Sequence, residues 1–305
     1  MSARLRFLNF ALRSVGRPLL KRTKTPKRAR RDFDLAARLV FLGPRQHATR
    51  RTIQGVSVLD VCPPGARKDA VILYLHGGGY ITGSASTHLP MVGSLAASAS
   101  VRAVLPDYRL SPEHPFPAGF HDSLDIWRGL RAEGIPPGRI ILAGDSAGGG
   151  MALGLLARLL EEGECPAGLI AFSPWTDLTL GGQSLETNAA SDVILPVERI
   201  EDLRALVSPD GNMDDPHLSP LFATFNGAPP VYLQASRSEI LLDDTLRMEE
   251  RMRGSGVDVR VDLWPDAPHV WQLFRGWIPE ADDALERAAS FARERLTASS
   301  PLSGN

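Results

Sequence analysis

The sequence predicts an α/β fold in which a mostly parallel central sheet has helices on both faces and a helical cap. Short β-rich runs alternate with stretches of helical length, which is typical of a parallel sheet. Two of these runs, Val71–Leu75 and Ile140–Ala143, are apolar throughout, as expected for strands covered on both faces. The 49-residue interval 177–225 breaks the alternation and is too long for a plain connection, so it predicts an inserted cap.

The predicted elements follow in chain order. Alternating apolar and polar residues over Thr52–Val61 predict the first strand. Further strands are predicted at Val71–Leu75, Val101–Leu105, Ile140–Ala143, Leu169–Phe172, Val231–Ala235 and Val257–Trp264. Helices are predicted at about 86–99, 118–133, 146–162, 241–254 and 281–296, and a loose tail at 297–305. The chain is thus divided into N-terminal helices that are part of the cap (1–50), a first part of the core (51–176), the cap insertion (177–225) and a second part of the core (226–305).

The composition is that of a globular protein. The chain has 305 residues, of which 43% are hydrophobic and 23% are charged, and this excludes a disordered chain and a collagen-like repeat. No apolar run reaches the length of about 18 residues that a membrane span needs, and no secretory signal is predicted. The two cysteines, Cys62 and Cys165, are too few for a metal cluster or a disulfide framework. They predict free thiols and a cytoplasmic location.

The N-terminus is strongly basic although the net charge of the chain is only -1. Residues 1–31 contain eleven Lys or Arg and no Asp or Glu. Three interpretations compete: a helix docked on the protein, a membrane-surface helix, and a transit-type segment. Docking as part of the cap is favoured because a second helical stretch follows, and weak contact with a membrane is compatible with it. Nucleic-acid binding is the weakest interpretation. The apolar residues recur at helical spacing in two stripes, Leu5, Leu8, Leu12 and Val15 in a helix ending near Arg17-Pro18, and Leu35, Leu39 and Val40.

The pattern Gly-x-Ser-x-Gly occurs at residues 144–148, where a predicted buried strand gives way to a helix. In this context the pattern is typical of a nucleophile elbow. The tight turn needs small neighbours, and a strained backbone holds the serine Oγ above the sheet at the positive end of the helix. Ser146 is therefore the predicted nucleophile.

Three consecutive glycines follow His76 at the end of another predicted buried strand. They are compatible with a flexible turn, but they also let backbone N–H groups approach a ligand closely. Two such donors, together with the N–H of Ala147, would form an oxyanion hole. His76 lies on this loop, so we expect it to hold the loop by hydrogen bonding rather than to act as a base.

A serine hydroxyl needs a base to become a good nucleophile, and the base needs an orienting acid. In enzymes with a nucleophile elbow the chain order is serine, acid, histidine, and only His217 and His269 follow Ser146. His217 lies inside the insertion, where a structural role is expected. His269 follows a predicted strand on a Pro-Asp-Ala-Pro loop and is the predicted base.

The acid is expected on the loop after Val231–Ala235, where the candidates are Glu239, Asp243 and Asp244. The two aspartates fall in the first turn of the next predicted helix, where acidic residues serve as caps and interact favourably with the helix dipole. Glu239 is therefore preferred as the acid.

Five motifs together resemble the hormone-sensitive-lipase family of bacterial esterases, which has the α/β-hydrolase fold. The resemblance implies a carboxylic-ester hydrolase with oxyanion donors on Gly78, Gly79 and Ala147, and with a cap built from the N-terminal helices and the insertion. One departure concerns the acid, because the family usually has aspartate where this chain has Glu239. The motifs are the segments 76–80 (HGGGY), 107–113 (DYRLSPE), 114–118 (HPFPA), 144–149 (GDSAGG) and 268–271 (PHVW).

The predicted function is hydrolysis of short- to medium-chain carboxylic esters by a serine carboxylesterase that forms an acyl-enzyme. An amidase or deacetylase with the same triad is the alternative, and a non-catalytic ligand-binding module is a weaker one. No cofactor or metal is expected. The expected partner is a small-molecule ester, with a homodimer and a peripheral membrane contact as further expectations. Supporting roles are assigned to His76 and Asp145, and bracing roles to segments 107–109 and 175–177.

Overall fold

The protein is described here by a computed structural model that covers residues 1–23, 25–41, 43 and 47–298. The predicted tail falls outside these residues from position 299 onward. The strands are β1 Ala48–Ile53, β2 Val56–Val61, β3 Arg67–Leu75, β4 Val101–Pro106, β5 Ile140–Asp145, β6 Gly168–Phe172, β7 Val231–Ser236 and β8 Val259–Trp264. The α-helices are α1 Ala3–Ala11, α2 Arg17–Arg22, α3 Pro26–Val40, α4 Ala85–Ala99, α5 Ala118–Ala132, α6 Ser146–Glu161, α7 Ser184–Thr187, α8 Ile200–Val207, α9 Leu242–Gly254 and α10 Pro279–Ala298.

All eight strands form one sheet in the order β1-β2-β4-β3-β5-β6-β7-β8. The six strands β3 to β8 run parallel, whereas β2 pairs antiparallel with both β1 and β4. The predicted single strand Thr52–Val61 is wrong: this segment belongs to a hairpin that turns at Gln54 and Gly55, both at positive φ. Such a two-residue turn matches the twist of the paired strands.

Helices cover both faces of the sheet, which confirms the predicted fold class. Successive residues of β3 point to opposite faces, so Val71 and Leu73 lie in one apolar cluster and Ile72 in the other. The first cluster includes residues of α5, α6 and α9, and the second includes residues of α4 and α10. A strand that is buried on both sides needs an apolar run rather than an alternating one, as the sequence indicated.

The 177–225 segment contains the short helices α7 and α8. Leu203 on α8 lies so close to Gly79 that a Cβ at that glycine would be 2.7 Å from the leucine Cδ2. The backbone N–H of Phe116 donates to Val207 O at 2.9 Å, and this fixes the end of α8. The segment therefore lies over the glycine loop that follows β3.

The N-terminal arm, defined as residues 1–22, is one helical run with a π-helical turn at Leu12–Gly16 between α1 and α2. Its helix continues to Arg22 rather than ending near Pro18. The π-helical turn lies just before this proline, which has no N–H to donate to the preceding turn. Leu5 and Leu8 are buried against the core, but Val15 is exposed.

The second predicted stripe does not form a buried face, because Leu35 and Leu39 on α3 are exposed. In that helix Ala37 is buried, and Phe33 makes a ring contact with Phe41, the residue directly after the helix, which in turn contacts Phe274. None of the described helices is both long enough and apolar enough to cross a bilayer. Cys62 and Cys165 are exposed and free.

Candidate active site

Ser146 lies at the junction of β5 and α6, at the carboxyl edge of the sheet. Its φ of 51° is in the left-handed region, which side chains rarely adopt and which indicates a strained turn. The turn is possible because Gly148 has no side chain: a Cβ there would lie 2.2 Å from Leu75 O. The hydroxyl is therefore held above the sheet at the amino-terminal end of α6.

Three of the predicted site residues meet in one hydrogen-bonded chain. Ser146 Oγ lies 2.9 Å from His269 Nε2, and His269 Nδ1 lies 2.5 Å from Glu239 Oε2. A carboxylate only accepts hydrogen bonds, so the proton of the neutral imidazole lies on Nδ1 and donates to Glu239. Nε2 is then free to accept the serine proton. The structure thus brings together residues that are 123 and 30 positions apart in the chain.

The electrostatics around His269 favour its protonated form. Burial alone would lower the pKa of this histidine, but the hydrogen bond and the negative charge of Glu239 raise it above its usual value. Glu239 is itself 1% exposed, so its interaction with the imidazole is little screened by water.

Glu239 is held by donors that fix which oxygen faces the histidine. Its Oε1 accepts from the backbone N–H of Ser236 at 2.7 Å and from Ser173 Oγ at 3.0 Å. The other oxygen is left for His269. The sequence reasoning did not single out Ser173, although a polar residue directly after the buried strand β6 is a signal that could have found it.

The loop after β3 presents backbone donors next to the serine. Neither Gly78 nor Gly79 has an acceptor for its N–H among the described residues. Gly78 has a φ of 118°, a conformation open to glycine, and the carbonyl of Thr82 lies where its Cβ would be. Ala147 is in the first turn of α6, where N–H groups lack intrahelical partners.

Asp145 and His76 both contact Gly77 of this loop. Asp145 Oδ1 accepts from Gly77 N at 3.0 Å and from the Tyr74 hydroxyl at 2.9 Å. Burial alone would raise the pKa of Asp145, but His88 and the hydroxyl of Tyr74 lower it below its usual value. The carboxylate therefore ties the nucleophile turn to the glycine loop.

His76 lies flat against Tyr108, with ring centroids 4.2 Å apart, and its Nδ1 lies 2.8 Å from Gly77 O. Burial and the neighbouring His88 lower the pKa of His76 to about 4, so it is neutral at physiological pH. Its Nε2 has no hydrogen-bond partner in the part of the chain that the structure describes. The Tyr108 hydroxyl donates to His76 O at 2.6 Å, as expected for the bracing role of segment 107–109.

The other candidate acids lie away from the histidine and hold the insertion. Asp243 Oδ2 accepts from Ser184 N at 2.9 Å, and Asp244 Oδ1 accepts from the backbone of Thr176 and Asp177 at 2.7 and 2.9 Å. Burial raises the pKa of Asp244 to about 7. These contacts attach the start of the 177–225 segment to α9.

Sequence reasoning also missed Asp192, a buried carboxylate of the insertion. Its Oδ2 accepts from Ile240 N, next to Glu239, at 2.9 Å, and its Oδ1 accepts from the backbone N–H groups of Ile194 and Leu195. Burial raises its pKa above the usual value. The remaining histidine candidate, His217, packs against Phe120 with tilted rings at a centroid distance of 5.0 Å, in keeping with the expected structural role.

Comparison with known proteins identifies the family to which the chain is similar. The sequence profile of a family described as having the alpha/beta hydrolase fold matches residues 72–273. The chain is 38% identical to an esterase of Acinetobacter venetianus over 224 residues, which are 73% of this chain and 74% of the relative. It is 35% identical to an acetyl-hydrolase of Streptomyces hygroscopicus over 230 residues, 75% of this chain and 77% of the relative.

A crystal structure of an esterase from the bacterial hormone-sensitive lipase family superposes on the chain with a TM-score of 0.92 and 38% sequence identity. The match covers 97% of this chain and 99% of that one. Similarity at this level extends over the N-terminal arm and the insertion as well as the sheet.

Proposed function

The chain belongs to the hormone-sensitive-lipase family of α/β-hydrolase-fold esterases and is a carboxylic-ester hydrolase, and we propose that it works through a Ser146–His269–Glu239 triad. The observation that carries this proposal is the continuous hydrogen-bonded chain from the Ser146 hydroxyl through both imidazole nitrogens to a buried carboxylate. That arrangement supplies a nucleophile, a base and a group that orients the base.

The reaction proceeds in two steps. Ser146 Oγ attacks the ester carbonyl carbon while its proton passes to His269 Nε2. The tetrahedral intermediate collapses when the C–O bond to the alcohol breaks and Nε2 returns the proton to the departing oxygen. A water molecule then attacks the acyl carbon and gives its proton to Nε2, and Ser146 leaves with that proton as the carboxylic acid is released.

The negative oxygen of each tetrahedral intermediate is stabilised by the N–H groups of Gly78, Gly79 and Ala147. Support comes from the two loop donors that have no acceptor among the described residues and from the first-turn position of the alanine. Each donor of such a hole contributes about 3–4 kcal/mol to transition-state stabilisation.

The N-terminal helices and the 177–225 segment together form the cap over this site. Three basic residues of the arm reach the insertion: Arg13 donates to Ser191 O, Arg17 to Ala189 O, and Lys21 to Glu198. With Leu203 against Gly79, the cap restricts the space above the nucleophile, so short and medium acyl chains are the preferred substrates. The similarity to an acetyl-hydrolase agrees with a small acyl group.

The triad is tested by Ser146→Ala in the full chain. We expect a folded protein whose kcat on p-nitrophenyl butyrate is lower by several orders of magnitude, because a triad acts as one unit. Ser123→Ala, which removes a buried hydroxyl that donates to Gly119 O, is a matched control. A purified Ser146→Ala protein with a tenth of the wild-type kcat would overturn the assignment.

A further inference from the structure

The N-terminal arm presents apolar and basic side chains to solvent side by side. We propose that the outward face of this arm is a peripheral docking site for a bilayer that contains anionic phospholipids. This site is separate from the triad and does not depend on how the ester is cleaved.

The apolar part of the face begins with two aromatic rings one turn apart. Phe7 and Phe10 are 68% and 69% exposed, whereas Leu5 and Leu8 on the opposite side of α1 are buried. The exposure continues along the arm at Val15, Leu19 and Leu20, and Leu35 and Leu39 add two exposed leucines on α3. So many large exposed apolar side chains on the arm and on the following helix are unusual for a surface that faces only water.

The arm is fixed to the protein, so this face is held outward. Ser2 caps α1 through its side chain, and its backbone N–H and hydroxyl both donate to the carboxylate of Glu280. Asn9 donates to Asp266 O at 2.7 Å, and Leu5 lies in the core cluster. The exposed rings therefore cannot turn inward without breaking these contacts.

The charge of the arm matches an anionic surface. Among the described residues, no acidic side chain pairs with Arg4, Arg6 or Arg22. Arg13 and Arg17 donate to backbone carbonyls, and Glu198 of the insertion pairs with Lys21 and also interacts electrostatically with Arg17. One carboxylate therefore offsets only part of the positive charge of the arm. Since residues 1–31 contain no Asp or Glu, the whole arm is positive.

A bilayer interface accepts both kinds of side chain at once. Exposed rings and aliphatic chains insert at the level of the headgroups, while Lys and Arg contact lipid phosphates. A second copy of the chain would bring the same positive arm to a symmetric contact, and like charges would oppose it. The phosphates of a nucleic acid would satisfy the arginines but would leave the aliphatic side chains without a partner.

The experiment measures co-sedimentation of the full chain with vesicles. One set is phosphatidylcholine alone, and the other contains about one third phosphatidylglycerol. Two arm variants remove one component each: Phe7→Ser with Phe10→Ser, and Arg4→Glu with Arg6→Glu. The matched control, Lys68→Glu with Phe222→Ser, changes one exposed cation and one exposed ring elsewhere on the surface.

We expect the wild type to prefer anionic vesicles and to lose most of that binding in about 0.5 M salt, which screens surface charges. Each basic residue at the surface strengthens binding about fivefold, so the double arginine variant should bind at least about 25-fold more weakly. The double phenylalanine variant should bind at least about tenfold more weakly. The control should stay within about twofold of the wild type, and all variants should keep the wild-type melting temperature because these side chains are exposed.

Equal binding to neutral and anionic vesicles would overturn the proposal, and so would arm variants that bind like the wild type. Sedimentation velocity tests whether a second copy of the chain binds this face instead. A wild-type dimer that dissociates in the double phenylalanine variant, together with no vesicle binding, would overturn the proposal in favour of a dimer contact.

Discussion

Replacing Glu239 with glutamine tests the acid of the triad, the position at which the chain departs from the usual aspartate. The substitution keeps the side-chain length but turns one acceptor oxygen into an NH₂ donor. The backbone N–H of Ser236 needs an acceptor and lies 2.7 Å from Oε1, so the glutamine places its oxygen there. Its NH₂ group then faces His269 Nδ1.

That reversal dictates the tautomer of the imidazole. A donor opposite Nδ1 requires an unprotonated nitrogen, so the proton moves to Nε2, which can no longer accept the proton of Ser146. Loss of the correct tautomer with intact geometry lowers kcat by about 10⁴ in serine proteases, which corresponds to about 5 kcal/mol of transition-state stabilisation. We expect kcat to fall by about 10³–10⁴ here, because Glu239 contacts His269 Nδ1 as the aspartate of those proteases contacts its histidine.

The assay is kcat and KM for p-nitrophenyl butyrate, with thermal unfolding followed by circular dichroism on the same samples. Asp243→Asn is the matched control, since this carboxylate accepts from Ser184 N and has no contact with His269. An asparagine oxygen can still accept that bond, so we expect activity within about twofold and a cost in stability below about 1 kcal/mol.

The two variants together can refute the reasoning. If both proteins fold and Asp243→Asn loses more activity, the acid is not Glu239. If folded Glu239→Gln keeps more than a tenth of the wild-type kcat, the tautomer argument fails even though the residue contacts the histidine.

Further predictions concern pH, chain length and the arm. The kcat/KM of the wild type should rise with pH through a midpoint above 6.5, because activity needs neutral His269 and its pKa is raised in the fold. Because the pKa of Asp244 is raised to about 7, this group stabilises the fold at low pH, and the stabilisation is lost as pH rises through that value. The free energy of unfolding of the wild type, measured by urea titration, should therefore fall by about 1 kcal/mol per pH unit over this range. Asp244→Asn should lack this decline. In a p-nitrophenyl ester series, kcat/KM should be highest for short or medium chains, and a preference for emulsified long-chain triglyceride over butyrate would contradict the cap argument. Deleting residues 1–45 should raise aggregation and shift the acyl-chain-length profile, because the core surface against which Leu5 and Leu8 pack becomes exposed. Burial of each of these side chains is worth about 1.5–3 kcal/mol. Unchanged stability and an unchanged profile would show that this segment is not part of a cap.

Local signals were enough for the parallel strands and for the choice of candidate site residues. Apolar runs identify β3 and β5 because both strands are buried on both faces, and the small residues around Ser146 reflect a turn in which a Cβ at Gly148 would collide with backbone. Chain order then left few choices for the base. The buried strands and the tight turn are each encoded by residues that are adjacent in sequence.

The hairpin of β1 and β2 and the fate of the arm could not be predicted in the same way. Alternation alone does not distinguish one long strand from two short ones, and Gln54-Gly55 is not among the dipeptides that most strongly indicate a turn. An apolar stripe on a helix says which side is able to be buried, but not whether a partner reaches it. Leu5 meets the core whereas Leu35 at an equally good spacing does not.

Asp192 shows why Glu239, the acid of the proposed triad, was the hardest member to choose from sequence. Its carboxylate, 47 positions before Glu239, binds the backbone N–H of Ile240 and so fixes the loop on which the glutamate lies. Glutamate is one methylene longer than aspartate, so it reaches the imidazole only if that loop is held at the right distance. The insertion therefore positions Glu239 as well as lying against the glycine loop at Gly79. Glu239, its supporting loop and the 177–225 segment thus form one assembly of residues that are distant in sequence.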